Sequence, residues 1–298
     1  MVHRRSVRAR GSRASGVALI ACAAALTAAR AQSAPPSAAA SPSGSASAAI
    51  AAAVAASDRS DADRALDAGR KPAEMLAFAG IAPGMKVADL GAGGGYTTEL
   101  LARAVGPTGR VYSQNSSLIR ERFAEKPWTE RLAKPALANV VRVEREFDDP
   151  LPPDARDLDA VILVLFYHDT YWMEVDRAAM NRAIFRALRP GGVYLVVDHS
   201  AAAGSGARDV KTLHRVEESL VRSEIESAGF RLDGEADFLR NPEDARDWND
   251  SPSAAGDRRG TSDRFVLRFV KPASAAPGTA PPGGTGALSA PTPKPENP

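Results

Sequence analysis

The sequence is most informative at the glycine-rich stretch Asp89-Leu90-Gly91-Ala92-Gly93-Gly94-Gly95. The apolar residues 85–90 before it are typical of a short strand, and helical spacing of apolar residues follows over 96–105. Glycines let a ligand approach the backbone closely, and the first turn of the next helix offers unpaired N–H groups and a positive dipole end. The sequence therefore predicts a site for a polar ligand at this turn.

Outward from the glycine turn, extended and helical patterns alternate along the chain. Such alternation predicts a mainly parallel sheet with helices on both faces, which is a three-layer α/β domain. The apolar run 160–166 fits a strand covered on both sides. Further strands are predicted at 110–113, 140–144, 193–197 and 265–269, and helices from Pro72, from Met173 to Leu188 and from Val210 to Ala228.

The spacing of the glycines excludes two common nucleotide motifs. Tyr96 stands where a dinucleotide fingerprint needs its third glycine, and no lysine follows for a P-loop. The pattern Asp89-x-Gly91-x-Gly93-x-Gly95 instead resembles the first motif of class I S-adenosylmethionine-dependent methyltransferases. The resemblance extends to Leu188-Arg189-Pro190-Gly191-Gly192 and Ala228-Gly229-Phe230, each before a predicted strand.

The resemblance implies a Rossmann-like sheet of seven strands with an antiparallel last strand, and S-adenosylmethionine as cofactor. Gly91, Gly93 and Gly95 would admit the amino-acid portion of the cofactor, and Asp89 would orient the loop or the methionine amine. Asn115 stands where the family usually has an acid that grips the ribose, and an amide binds hydroxyls without the strength of a charge.

A second acid of the family, which contacts the adenine, matches Asp148 or Asp149 after the third predicted strand. The alternative for both residues is a solvated turn.

The predicted acceptor side follows two neighbouring strands. One is followed by Tyr167-His168-Asp169, and the other by Asp198-His199-Ser200. Methyl transfer often needs a base that removes a proton from the acceptor, and imidazole suits this task near neutral pH. We expect His168 or His199 to be this base, Asp169 or Asp198 to orient its ring, and Tyr167 to wall the methyl group.

The same residues allow a different chemistry. His168, His199, Asp169 and Asp198 offer two imidazoles and carboxylates to a divalent metal. No short-spaced ligand pair supports this, so the sequence assigns no metal. His214 is interpreted as a structural residue, and residues 241–262 as a lid or a mobile insertion. Four residues before the first core helix could cover the cofactor or solvate a helix face, and we favour the solvated face: Arg64, Asp67, Arg70 and Lys71.

Charge and cysteine usage limit the function classes. The chain has 298 residues with 38 Lys and Arg against 36 Asp and Glu. Six of the arginines lie in residues 1–31, which contain no acid, so the remainder is mildly acidic. This argues against sequence-independent nucleic-acid binding. The single cysteine, Cys22, excludes internal disulfides and thiolate metal clusters.

The N-terminus indicates export. Residues 1–31 have the basic start, the uncharged run and the small-residue cleavage pattern of a signal peptide. The run is too short to span a bilayer. Leu19-Ile20-Ala21-Cys22 resembles a lipoprotein cleavage box, which would make Cys22 a lipid anchor, and Arg4-Arg5 resembles a twin-arginine signal. The mature protein is therefore expected in the periplasm or anchored by lipid at the membrane.

Composition divides the chain further. An Ala/Ser/Pro-rich linker is predicted at 32–57 and a Pro/Gly-rich tail at 272–298, both disordered. They flank one folded domain, 58–271. The expected function is methyl transfer from S-adenosylmethionine to a small acceptor. The alternatives are an exported binding protein that does not methylate, or a His/Asp metal-dependent hydrolase or lyase on the same scaffold.

Overall fold

The computed structural model describes residues 44–273. The predicted signal peptide, its Cys22 anchor, the first part of the linker and the tail from residue 274 lie outside the described residues. Within 44–273, no helix is both long enough and apolar enough to cross a membrane.

The centre of the fold is one seven-stranded sheet with strand order β3-β2-β1-β4-β5-β7-β6. Strands β1 to β5 are mutually parallel, and β7 runs antiparallel to both β5 and β6. The α/β class, the seven strands and the antiparallel last strand are as predicted. The strands are β1 (Lys86–Leu90), β2 (Arg110–Asn115), β3 (Val140–Glu144), β4 (Leu158–Val164), β5 (Leu188–His199), β6 (Arg231–Ala236) and β7 (Arg264–Val270).

Helices cover both faces of the sheet. Because side chains alternate across a strand, neighbours such as Ile162 and Leu163 on β4 enter two separate apolar clusters. The helices are α1 (Gly44–Ala55), α2 (Asp61–Arg70), α3 (Pro72–Phe78), α4 (Tyr96–Val105), α5 (Ser117–Ile119), α6 (Glu125–Leu132), α7 (Asp169–Trp172), α8 (Arg177–Ala187), α9 (Val210–Leu213) and α10 (Glu218–Ser227). Single turns of other helix types lie at Arg120–Ala124, Pro135–Leu137 and Gly256–Arg258.

The linker prediction is wrong over Gly44–Ala55, which forms helix α1 against α3 and α4. Ile50 and Ala53 are buried in this contact. Alanine has the highest intrinsic helix propensity, and packing of one face supplies the stability that a short helix lacks alone. The composition therefore indicated disorder where the chain has a docked helix.

The helix predicted over 210–228 is also wrong in its middle. It is divided into α9 and α10 by a segment in which Val216 pairs with Ser200 beside the end of β5. His214 adopts a left-handed backbone with φ 60° at this break. The division brings His214 to the carboxyl edge of the sheet, where β4 and β5 end.

Candidate functional site

The glycine turn is held from below by the end of β2. The Gly91 N–H donates to Gln114 Oε1 at 3.0 Å. The Gly93 N–H donates to Asn115 Oδ1 at 2.8 Å, and Asn115 Nδ2 donates to the Gly93 carbonyl at 3.1 Å. Asn115 is fully buried. The side-chain amide of Asn115 therefore fixes the conformation of the loop. The predicted role was a different one, a contact with the ribose of the cofactor.

The three glycines of the motif differ in what a side chain would meet. A Cβ on Gly91 would lie 2.6 Å from the ring of Phe166, and one on Gly95 would lie 2.9 Å from Arg131 Cδ. A Cβ on Gly93 would meet no atom within 4 Å, although φ there is +53°. Packing inside the protein thus requires Gly91 and Gly95, and only Gly93 leaves open space.

Asp89 ends buried beneath this loop. Thr98 Oγ1 donates to Asp89 Oδ2 at 2.5 Å. Burial raises the pKa of Asp89 to about 7, and the hydrogen bonds from Thr98 only partly oppose it. A carboxyl with such a pKa changes charge near neutral pH, so it responds to any cation placed beside it.

Helix α2 lies over the glycine loop. The Asp67 carboxylate accepts a hydrogen bond from Tyr96 Oη at 2.6 Å and one from each terminal guanidinium nitrogen of Arg59 at 2.7 Å. Arg131 pairs with Asp63 at 2.6 Å. The predicted solvated face is therefore wrong, because the acidic side of α2 is tied to the loop and to the helix after it.

Arg70, at the end of α2, differs from the other arginines around the loop. Its guanidinium lies 4.6 Å from the ring centroid of Tyr96. Burial lowers the pKa of Arg70, and within residues 44–273 no carboxylate forms an ion pair with it. It is a cation beside the loop that has room for an anionic partner.

One cavity of about 630 Å³ connects the loop with the acceptor side of the sheet. This volume is in the range of small-molecule sites. The insertion predicted as a lid or a mobile segment forms part of the wall. Residues around the cavity include Asp63, Arg70, Asp89, Gly91, Gly93, Arg131, His199, His214, Asp250, Arg259 and Arg264.

His199 also lines this cavity. Its Nδ1 is 2.5 Å from Asp250 Oδ2 and 2.9 Å from Ser262 Oγ. Burial lowers the pKa of His199 to about 4, although Asp250 opposes this effect. The ring is thus neutral at pH 7, as a general base must be.

His168 has a different environment and does not line the cavity. Its Nδ1 lies 2.6 Å from Asp198 Oδ1, and its backbone N–H donates to Asp198 Oδ2 at 2.8 Å. Burial disfavours the charged ring, but Asp198 and Asp169 outweigh burial and raise the pKa of His168 to about 10. Of the two histidines predicted as base, only His199 has the required position and charge state.

Three other predicted residues lie away from the cavity. Tyr167 is buried and donates to Glu224 Oε2 at 2.8 Å, so it is part of the core and does not wall a methyl group. Asp148 accepts from the Asp176 N–H at 2.8 Å, and Asp149 pairs with Arg145. Neither aspartate lines the cavity, which agrees with the solvated turn and not with an adenine contact.

Three residues of the site differ from their predicted roles. Arg70 was expected to face solvent, because a charge near a helix end normally does, and covering the cofactor was only its alternative. Asp250, which contacts His199, lies in the predicted lid or mobile insertion. His214 lies inside an apparent helical pattern, yet its ring centroid is 4.0 Å from that of His168.

Comparison with known proteins gives a family match at the glycine loop. A family model described as protein-L-isoaspartate(D-aspartate) O-methyltransferase matches residues 58–140, which is less than half of the chain.

Solved structures resemble this chain over most of its length. A complex between the Haloferax volcanii Trm112 methyltransferase activator and a methyltransferase matches with 18% identity, 75% of this chain, 97% of that chain and a TM-score of 0.50. A SAM dependent methyltransferase from Aquifex aeolicus matches with 18% identity, 66% of this chain, 88% of that chain and a TM-score of 0.48. An arsenic(III) S-adenosylmethionine methyltransferase from Chlamydomonas reinhardtii matches with 18% identity, 78% of this chain, 75% of that chain and a TM-score of 0.48.

The strand order and the Haloferax match confirm the class I methyltransferase fold. The family match, which includes the glycine loop, supports an S-adenosylmethionine-dependent methyltransferase as the class of this protein.

Proposed function

We propose that this protein transfers the methyl group of S-adenosylmethionine to a small acceptor bound near His199. The observation that carries the proposal is the cavity, which is lined both by the glycine loop and by a neutral, buried histidine. A base and a cofactor loop that share one cavity can hold two reactants in contact.

The residues at the loop fit the charges of the cofactor. Its amino-acid portion carries an ammonium and a carboxylate. Asp89 would bind the ammonium, and Arg70 would bind the carboxylate because no acid within residues 44–273 pairs with it. The open space above Gly93 is where a side chain would exclude the ligand.

The chemistry divides between cofactor and protein. When bound, S-adenosylmethionine supplies an electrophilic methyl group on a sulfonium. His199 would remove the proton of the acceptor, and Asp250 would fix the ring through Nδ1 and stabilise the imidazolium that forms. The acceptor is therefore a group that is protonated near neutral pH and loses its proton on methylation, such as a hydroxyl or thiol.

Methyl-labelled cofactor tests this proposal with a panel of small hydroxyl and thiol compounds. We expect label to pass to one class of acceptor. The His199→Gln variant should reduce the rate on the order of 10²-fold or more and leave cofactor affinity unchanged. Equal rates for wild type and His199→Gln would contradict the assigned role of His199.

A binding protein that does not methylate is the second candidate. It is favoured by the positions of Asn115, Asp148 and Asp149, none of which lines the cavity. Cofactor binding without transfer to any acceptor of the panel would support this candidate over the first.

We also propose that the protein is exported, on the sequence of residues 1–31 alone. Mass spectrometry of the mature N-terminus separates cleavage after residue 31, lipidation at Cys22 and retention of the whole segment. An intact Met1 in the native host would contradict export by cleavage.

A further inference from the structure

We propose that His168, Asp169 and His214 form a binding site for one divalent transition-metal ion, with Zn²⁺ as its best-fitting occupant. Each residue offers one ligand atom, and these atoms all lie within 4.8 Å of one another. The site goes beyond methyl transfer, since its formation requires neither cofactor nor acceptor.

The distances suit a metal better than direct contacts between the side chains. His168 Nε2 lies 3.3 Å from Asp169 Oδ1, and His214 Nδ1 lies 3.9 Å from the same oxygen. Ligand atoms around a tetrahedral zinc ion stand about 3.4 Å apart. The three atoms therefore surround a space into which an ion fits with small side-chain shifts.

His168 Nε2 is an independent indication of a ligand. It is buried and has no aligned hydrogen-bond partner, and the whole side chain is 0% exposed. Buried polar groups are normally paired, so an unpaired one calls for a physical reason. An ion between His168, Asp169 and His214 would displace the proton that Asp198 and Asp169 favour on the His168 ring and would supply the missing partner of Nε2.

The surroundings of the three ligands resemble the outer shell of a metal centre. Asp198 binds the opposite ring nitrogen of His168 at 2.6 Å, which directs Nε2 toward the cluster. Trp172 Nε1 donates to Asp169 Oδ1 at 2.6 Å and orients the carboxylate. Carboxylates and hydrogen-bond donors in such positions fix ligand geometry and strengthen metal binding.

Two imidazoles and one carboxylate favour transition metals over Mg²⁺, which prefers oxygen ligands. Three protein ligands leave at least one coordination position open. His214 lines the cavity, so that position can be reached from it. His199 is not part of this cluster of ligand atoms, so the proposed site does not include it.

The test is calorimetric titration of the chelator-stripped full-length protein with Zn²⁺ and, separately, Mg²⁺. We expect one equivalent of Zn²⁺ to bind and Mg²⁺ not to bind. His214→Asn, which tolerates the left-handed backbone, and Asp169→Asn should each weaken Zn²⁺ binding more than tenfold. His199→Gln is the matched control and should bind Zn²⁺ as the wild type does.

Two further measurements keep the result unambiguous. Near-ultraviolet circular dichroism shows that each variant is folded, and Co²⁺ substitution reports nitrogen and oxygen ligands through its visible spectrum. Absence of stoichiometric Zn²⁺ binding, or binding that both ligand variants leave unchanged, would overturn the proposal.

Discussion

The side-chain amide of Asn115 forms hydrogen bonds with both backbone polar atoms of Gly93, at 2.8 Å to its nitrogen and 3.1 Å to its oxygen. The residue at the end of β2 therefore fixes the loop at which the cofactor is proposed to bind. This role needs a donor and an acceptor on one side chain, which an amide supplies and a carboxylate does not.

Asn115→Asp should consequently weaken the loop. The carboxylate cannot donate to the Gly93 carbonyl and would repel it, at a cost of about 1–2 kcal/mol. We expect a lower free energy of unfolding in urea and weaker binding of S-adenosylmethionine. Tighter binding of S-adenosylmethionine by Asn115→Asp would contradict this role and would support the predicted contact between residue 115 and the ribose.

Arg70→Gln should weaken the binding of both S-adenosylmethionine and its demethylated product, because both ligands carry the carboxylate that is assigned to Arg70. The loss of one charge-assisted contact predicts a decrease on the order of tenfold to a hundredfold. Arg64→Gln is the control, since Arg64 lies on the same helix, bonds to the Ala56 carbonyl and does not line the cavity. Equal effects of the two substitutions on affinity would contradict the assignment.

Cofactor binding should release a proton below pH 7. Asp89, with its pKa raised to about 7 by burial, is largely protonated at pH 6 and would ionise when an ammonium binds. Calorimetry at pH 6 in two buffers of different ionisation enthalpy measures this release. We expect far less release at pH 8.5, where Asp89 is already ionised, and none at pH 6 in Asp89→Asn. Identical binding heats of the wild type in both buffers at pH 6 would contradict the proposed contact between Asp89 and the amine.

His199 should make the fold sensitive to acid. Its folded pKa is lowered to about 4 from 6.5, so the unfolded chain binds a proton in this interval and the folded chain does not. The contribution of neutral His199 to stability is present above pH 6.5 and is lost as the pH falls toward 4.

Urea unfolding between pH 4.5 and 7 checks this prediction. The wild type should lose on the order of 2 kcal/mol more than His199→Gln across this window. Parallel pH profiles of wild type and variant would show that His199 titrates normally.

Local patterns predicted the sheet well because strands β1, β2, β4 and β5 are largely buried, and because the glycine turn follows β1. Asp89, the glycine loop and His199 lie at the ends of β1 and β5, so the topology alone brought them to one edge. Two predicted catalytic residues, His168 and Tyr167, follow the same strand, but their side chains are buried away from the cavity.

The remaining differences depend on contacts between distant parts of the chain. Whether Asn115 meets a ligand or the backbone of Gly93 is decided by the path of the loop. Whether Arg70 faces solvent or the cavity is decided by the docking of α2, through the Asp67–Tyr96 hydrogen bond among others. The position of His214 depends on the pairing of Val216 with Ser200. None of these contacts leaves a periodic signal in the sequence.

A cofactor site at the glycine loop is tested by comparing Gly93→Ala with Gly106→Ala in calorimetric titrations with S-adenosylmethionine. Both glycines have positive φ, and a Cβ at either meets no atom within 4 Å, but only Gly93 lines the large cavity. Backbone strain should cost Gly93→Ala about 1–2 kcal/mol of stability and Gly106→Ala more, because φ 67° and ψ −174° at Gly106 lie in a region essentially restricted to glycine. We predict that the wild type and Gly106→Ala bind the cofactor with similar affinity, whereas Gly93→Ala binds it at least tenfold more weakly. No binding by the wild type at millimolar cofactor, or equal affinity of both variants, would contradict a cofactor site at the glycine loop.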